Sequence, residues 1–176
     1  MKLIPMEKVY LNRGKYLSFC KRDFLDKDGN KKEYEFIERN NNQKAVVLIG
    51  EKDENLLLIK QYRIPVCDYV IEFPAGLVEE NENIEDAALR ELLEETGYNG
   101  KIRQVSPITL TSAGLTTEQV YFLKIDILNY SGSNCEPSED IEIVWVDKMK
   151  WEDLKKTNIL INGWVYSYLE GKYNSY

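Results

Sequence analysis

The chain has 176 residues, 43% of them apolar and 30% charged, with a net charge of −7 and no histidine. That length suits one domain with a full hydrophobic core, or a catalytic domain with a small extension, and excludes two large domains. The negative charge disfavours nucleic acid as a partner, and the missing histidine excludes Ser-His-Asp and Cys-His catalysis and histidine-ligated zinc.

Along the chain, Met1 to Tyr10 holds two lysines and no continuous apolar stretch, so a secretory signal is not expected and a cytoplasmic setting is. Tyr16 to Phe24 and Lys32 to Arg39 flank Asp26-Lys27-Asp28-Gly29-Asn30, a turn rich in residues that tolerate positive φ, which predicts a hairpin. The polar run Asn40 to Lys44 reads as a linker. Ala45 to Ile49 and Leu56 to Arg63, joined by Glu51 to Asn55, predict a second hairpin, and Val70 to Phe73 a short strand stopped by Pro74 and Gly76. From Ile84 to Thr96 the period turns helical, with Asn83 as N-cap, Glu85 and Asp86 in the first turn and Gly97 past the end. Strands follow at Val120 to Leu128 and Ile141 to Val146, and a helix from Asn162 to Glu170. The order is β-rich, helix, β-rich, helix, which predicts an α+β fold with a mixed β-sheet core flanked by helices. No apolar run approaches the roughly 20 residues that span a bilayer, so no membrane is expected. Cys20, Cys67 and Cys135 lie too far apart for a CxxC site and read as free thiols packed as small apolar groups.

Turned at about 100° per residue, the helix Ile84 to Thr96 puts Ala88, Leu89, Leu92 and Leu93 on one face and Glu91, Glu94 and Glu95 on the other. Like charges three and four apart cost a few tenths of a kcal/mol each, a penalty that a bound cation removes. Mg²⁺ suits such a cluster, since it takes oxygen ligands and bridges one or two carboxylates to phosphate. A solvated acidic face is the bland alternative for glutamates taken alone.

Gly76, Glu82, Arg90-Glu91-Leu92, Glu94-Glu95, Gly97 and Tyr98 stand at the spacing of the Nudix box, and the chain resembles the Nudix hydrolase superfamily. Tyr98, Gln61-Tyr62-Arg63 and Glu72-Phe73-Pro74-Ala75-Gly76 are similar to its ADP-ribose and ADP-sugar pyrophosphatase branch. The resemblance implies a Nudix fold with an N-terminal β-hairpin extension: residues 1–43 for dimerisation and base recognition, 44–176 as the catalytic domain. It implies Mg²⁺-dependent cleavage of the diphosphate of ADP-ribose or a related nucleotide sugar into AMP and a sugar phosphate, with Mn²⁺ as a substitute and a homodimer as the assembly. Other nucleoside diphosphate derivatives (an oxidised nucleotide, GDP-mannose, NADH) and a non-catalytic nucleotide binder are the competing expectations.

Carried over by position, the resemblance implies that Glu91 and Glu95 bind metal with Glu94 and the carbonyl of Ala75, and that Arg90 orients the glutamates. Glu82 is a further ligand or a loop acceptor. The general base is Glu139, in the acidic loop Glu136 to Asp140, or Glu94. Arg63 and Arg39 contact the diphosphate or make ordinary ion pairs. Tyr16 and Tyr34 stack on the base or pack across the hairpin, and Gly114 and Leu115 belong to the substrate loop, where Ser112 departs from the family pattern. Trp145, Trp151 and Trp164 read as packing residues.

Overall fold

The computed structural model describes residues 2–133, 135 and 139–174. Its chain separates into two compact units, Met1–Ala45 with Ile108–Val120, and Val46–Pro107 with Tyr121–Tyr176.

In the first unit β1 (Ile4–Arg13), β2 (Leu17–Leu25) and β3 (Lys31–Arg39) form a three-stranded antiparallel sheet in that order. The predicted hairpin is β2–β3. Its turn is held by Asp26 Oδ1, which accepts from the N–H groups of Asp28 and Asn30, and by Gly29 at φ 84°. Strand β1 was not expected. Pro5 argues against a central strand, and β1 is an edge, where a missing N–H costs nothing. The later segment is tied in by Ile37 N–H donating to Leu115 O (2.8 Å) and Thr117 N–H donating to Ile37 O (3.2 Å).

A mixed nine-stranded sheet adds β4 (Ala45–Lys52), β5 (Asn55–Arg63), β6 (Asp68–Glu72), β7 (Ala75–Leu77), β8 (Tyr98–Val105), β9 (Thr109–Leu110), β10 (Gln119–Tyr130), β11 (Ile141–Val146) and β12 (Leu160–Ile161). The order β12-β6-β5-β4-β10-β8 carries β11 on β5, β7 on β4 and β9 on β10; β12 pairs with β6 in parallel. Val46 to Ile49 and Leu56 to Ile59 are all buried, so β4 and β5 read as continuous apolar runs because both faces are covered. Among the described residues three α-helices accompany the sheet, α1 (Ile84–Thr96), α2 (Lys148–Leu154) and α3 (Gly163–Tyr173), and a 3₁₀ turn occupies Asn40–Asn42. Among the described residues no helix is long and apolar enough to cross a membrane.

Helix α1 has the expected bounds. Asn83 Oδ1 accepts from Asp86 N–H (2.8 Å), and Gly97, left-handed at φ 71°, donates its N–H to Leu93 O (2.8 Å). Its burial departs from the amphipathic reading. Ala87, Ala88 and Leu92 join Val46, Leu48, Leu57, Leu123, Ile125 and Ile127 in the core, but Leu93 is 36% exposed, Leu89 only half-buried, and Glu95 4% exposed. The carboxylate side of α1 packs against β7 instead of facing water, and this moves the exposed stripe round to Leu93.

Two smaller corrections concern single residues. Asn162 is the N-cap of α3 and not its first helical residue. Cys67 is exposed in the turn after β5, at φ 52°, while Cys20 is buried and Cys135 half-buried; all three are free thiols. The tryptophans pack as expected: Trp151 is fully buried and donates Nε1–H to Glu170, Trp145 lies edge-on to Tyr98, and Trp164 edge-on to Phe122.

Candidate active site

The short strand β7 lies under α1, and Gly76 makes the approach possible. A Cβ built there would fall 1.8 Å from Glu91 Cδ and 2.0 and 2.2 Å from its oxygens, so only glycine admits this carboxylate. One residue earlier, the Ala75 N–H donates to Glu95 Oε2 (3.0 Å). Burial pushes the Glu95 carboxyl up to about 8; the charges of Glu91 and Glu139 act in the same direction, and the Ala75 N–H and Arg63 oppose it. Burial also raises Glu91, against the pull of Arg90.

Arg90 makes a planar clamp. Its Nε and Nη2 donate to the two oxygens of Glu82 (2.9 Å each), Nη2 also to Leu77 O (2.9 Å), and Nη1 to Glu91 Oε1 (2.8 Å) and Glu94 Oε2 (3.1 Å). Such a bidentate fork fixes geometry as well as charge. Glu82 also accepts from the Glu79 N–H (3.0 Å), and the Arg90 guanidinium holds it below the usual carboxylate range. Both its oxygens are therefore occupied, which favours the loop-acceptor role over a ligand role. Glu91 and Glu94 each give Arg90 one oxygen, and their other oxygens accept no hydrogen bond from a described side chain.

The donor set is all oxygen, half-buried to fully buried, and short of positive charge: Arg90 faces Glu82, Glu91 and Glu94, while among the described residues the Glu95 carboxylate meets a backbone N–H. Among the described residues no three His, Cys, Asp or Glu side chains are assembled as a ready cage. An ion that takes one or two carboxylates and completes its shell with water and phosphate does not need one, so Glu91 and Glu95 over the Gly76 cradle fit Mg²⁺.

Of the acidic loop, Glu136, Pro137 and Ser138 lie outside the described residues. Glu139 is half-buried and its charge is felt at Glu91 and Glu95. Cys135 precedes it and donates Sγ–H to the carbonyls of Glu94 and Glu95 (3.3 and 3.5 Å). Asp140 follows it, accepting the Tyr69 hydroxyl (2.5 Å) on its side chain and the Tyr62 N–H (3.1 Å) on its carbonyl. Arg63 donates Nε–H to Glu72 Oε2, and Asn162 Nδ2 donates to Glu72 Oε1 (3.1 Å). Sequence reasoning gave no role to Cys135, Tyr69, Asp140, Glu72 or Asn162. Glu72 stood in the run ending at Gly76, Asp140 in the acidic loop and Asn162 at the start of the last helix, but none of these placements marked a role in the site.

The remaining candidates belong to the first unit. Tyr34 is half exposed and donates its hydroxyl to Gly114 O (2.8 Å); with Arg22, Phe36, Ala113, Thr116 and Thr117 it lines a pocket of about 240 Å³. Tyr16 is 65% exposed beside Lys15. The two tyrosines are not a cross-strand pair: Tyr34 stands opposite Arg22, whereas Tyr16 precedes Leu17, which stands opposite Arg39. Arg39 donates Nε–H and Nη2–H to Glu118 Oε1 (3.0 and 2.7 Å), an ion pair within this unit. Leu115 exposes its side chain, and its carbonyl accepts from Ile37.

The NUDIX domain family model matches residues 41–161. An ADP-ribose pyrophosphatase of Bacillus subtilis (strain 168) is 31% identical over 156 residues, 88% of this chain and 81% of that protein. An ADP-sugar pyrophosphatase of Mus musculus is 32% identical over 144 residues, 77% of this chain and 66% of that protein. For an ADP-ribose pyrophosphatase of Saccharomyces cerevisiae the figures are 42% over 93 residues, 53% and 40%. The chain thus spans just under two thirds of the mouse relative and two fifths of the yeast one. A solved structure described as an ADP compounds hydrolase shares the fold, with TM-score 0.76, 20% identity, and coverage of 98% of this chain and 96% of that one.

Proposed function

The chain belongs to the Nudix family, and from that membership we propose that it hydrolyses the diphosphate of ADP-ribose or a related nucleotide sugar to AMP and a sugar phosphate. The observation that carries the proposal is the pair of half-buried Glu91 and buried Glu95 over Gly76 and Ala75, with the one guanidinium of Arg90 shared among Glu82, Glu91 and Glu94. Its specificity rests on the likeness to the ADP-ribose and ADP-sugar pyrophosphatases.

In this reading Glu91 and Glu95, with Glu94 and the Ala75 carbonyl, hold Mg²⁺, with Mn²⁺ able to replace it. Bound there, the ion draws charge from the phosphate oxygens and acidifies water. Arg90 keeps Glu91 and Glu94 aligned by donating to both. Arg63 donates to the diphosphate, a task suited to a permanently charged fork. Water attacks phosphorus as the bridging P–O bond breaks, and the proton passes to a carboxylate. Glu139 is favoured for that proton because Glu94 is tied to Arg90.

Tyr16, Tyr34, Arg39, Gly114 and Leu115 are proposed to bind the nucleotide, Tyr34 by stacking, which is worth about 1–3 kcal/mol per base. Arg39 gives Nε–H and Nη2–H to Glu118 and would bind through Nη1. A homodimer is the proposed assembly, supported by the exposed Ile4, Val9, Leu11 and Leu17 of β1 and β2. The proposed setting is the cytoplasm, where free thiols such as Cys20, Cys67 and Cys135 persist.

Incubation with Mg²⁺ and ADP-ribose, followed by nucleotide chromatography, is expected to yield AMP and a sugar phosphate. A panel of 8-oxo-dGTP, GDP-mannose and NADH ranks the alternatives by kcat/KM. No AMP at micromolar enzyme overturns the proposal.

A further inference from the structure

Asn162 is held at every polar group. Its backbone N–H donates to Ile71 O (2.9 Å) and its carbonyl accepts from Tyr166 N–H (3.0 Å). Its side-chain oxygen caps α3 by accepting from Trp164 N–H (2.9 Å), and its side-chain nitrogen donates to Glu72 Oε1 (3.1 Å). A flipped amide would set oxygen against carboxylate and nitrogen against an N–H donor, so this orientation is the one its neighbours permit. Glu72, 14% exposed at its side chain, spends its other oxygen on Arg63 Nε.

The strand register says why Arg63 needs such a holder. Ile59 stands opposite Glu72, Gln61 opposite Val70 and Arg63 opposite Asp68, so Arg63 and Glu72 share a sheet face but are four positions apart. The two therefore meet only with both side chains stretched along the strands. Arg63 must fold back along β5 to meet Glu72, although its side chain is 41% exposed and could extend into water. Pairing through Nε leaves both Nη groups for a bidentate oxyanion, and the Arg63 charge is already felt at Glu95.

We propose that Asn162 and Glu72 are positioning residues that transmit the fixed start of α3 to the Arg63 guanidinium and so set its aim at the substrate diphosphate. This rests on the diphosphatase reading for its consequence, though not for its geometry. Asn162 lies one residue beyond the matched NUDIX region.

Asn162→Ser keeps a capping hydroxyl but cannot reach Glu72 as well, and Glu72→Gln removes one of the two acceptors. Each is expected to raise KM about tenfold while changing kcat less than about threefold. In an Arg63→Ala background the same substitutions are expected to change KM less than about twofold, since nothing is left to aim. A second readout does not depend on turnover. In ¹⁵N–¹H spectra of the full chain, the Arg63 Nε–H signal, identified by its loss in Arg63→Lys, is expected to exchange faster with water in Asn162→Ser and in Glu72→Gln. Additive effects on KM in the Arg63→Ala background, or an unaltered Nε–H signal in a folded variant, overturn the proposal. A wild type that turns over no nucleotide sugar defeats the substrate reading alone, and the Nε–H signal still decides the relay.

Discussion

Glu95→Gln is expected to lower kcat by about 10²–10³-fold while leaving the metal-free protein at least as stable as the wild type at pH 8. The amide keeps the shape and an oxygen for the Ala75 N–H, so the core around it stays intact. It cannot serve as an anionic ligand. The stability half follows from linkage. The Glu95 carboxyl stands at about 8 in the fold and near 4.3 when unfolded. Between those values the folded state holds a proton that the unfolded state has lost, so stability is full below about pH 4 and falls as pH rises towards 8. The variant has no such proton. Melting temperatures in EDTA at pH 5.5 and 8.5 are therefore expected to fall less with pH in Glu95→Gln than in the wild type. Equal slopes, or undiminished turnover, would contradict the assignment.

Gly76→Ala is expected to cost activity far more than stability. The added methyl lands within 1.8 Å of Glu91 Cδ, but the atom it meets is the end of a flexible side chain. Glu91 can swing away at about 1–2 kcal/mol, measurable by urea unfolding. In swinging it leaves both the cradle and Arg90 Nη1. Displacing a catalytic group by about 1 Å can cost on the order of 10²-fold, so kcat is expected to fall at least that far with the fold intact. A Gly76→Ala protein as active as the wild type would show that Glu91 is not needed where it lies.

Local chemistry made α1 legible, because Asn83 and Gly97 are caps that act within a few residues of themselves, Asn83 on the N–H of Asp86. The hairpin β4–β5 was legible for the same reason, in two apolar runs joined by a charged turn. What escaped is non-local. The exposed stripe of α1 was placed one flank away because nothing near Glu95 in sequence reveals that β7 covers it. The segment Ile108–Val120 joins the N-terminal strands through Ile37 and Arg39, partners about 80 residues distant that no periodicity marks. The two-residue strands β9 and β12 are too short to show alternation. In the site, the box residues were found by spacing. Glu72 and Asn162, 90 positions apart, meet only because β12 runs parallel to β6 and delivers the start of α3 to its end.

Mn²⁺ titration followed by electron paramagnetic resonance tests the central claim most directly, because it reads the ion and not the products. With a non-hydrolysable ADP-ribose analogue present, the wild type is expected to take up Mn²⁺, competed by Mg²⁺, and the Glu91→Gln, Glu95→Gln double variant is expected to take up none. Free Mn²⁺ throughout the wild-type titration, or uptake undiminished in the double variant, would contradict the account.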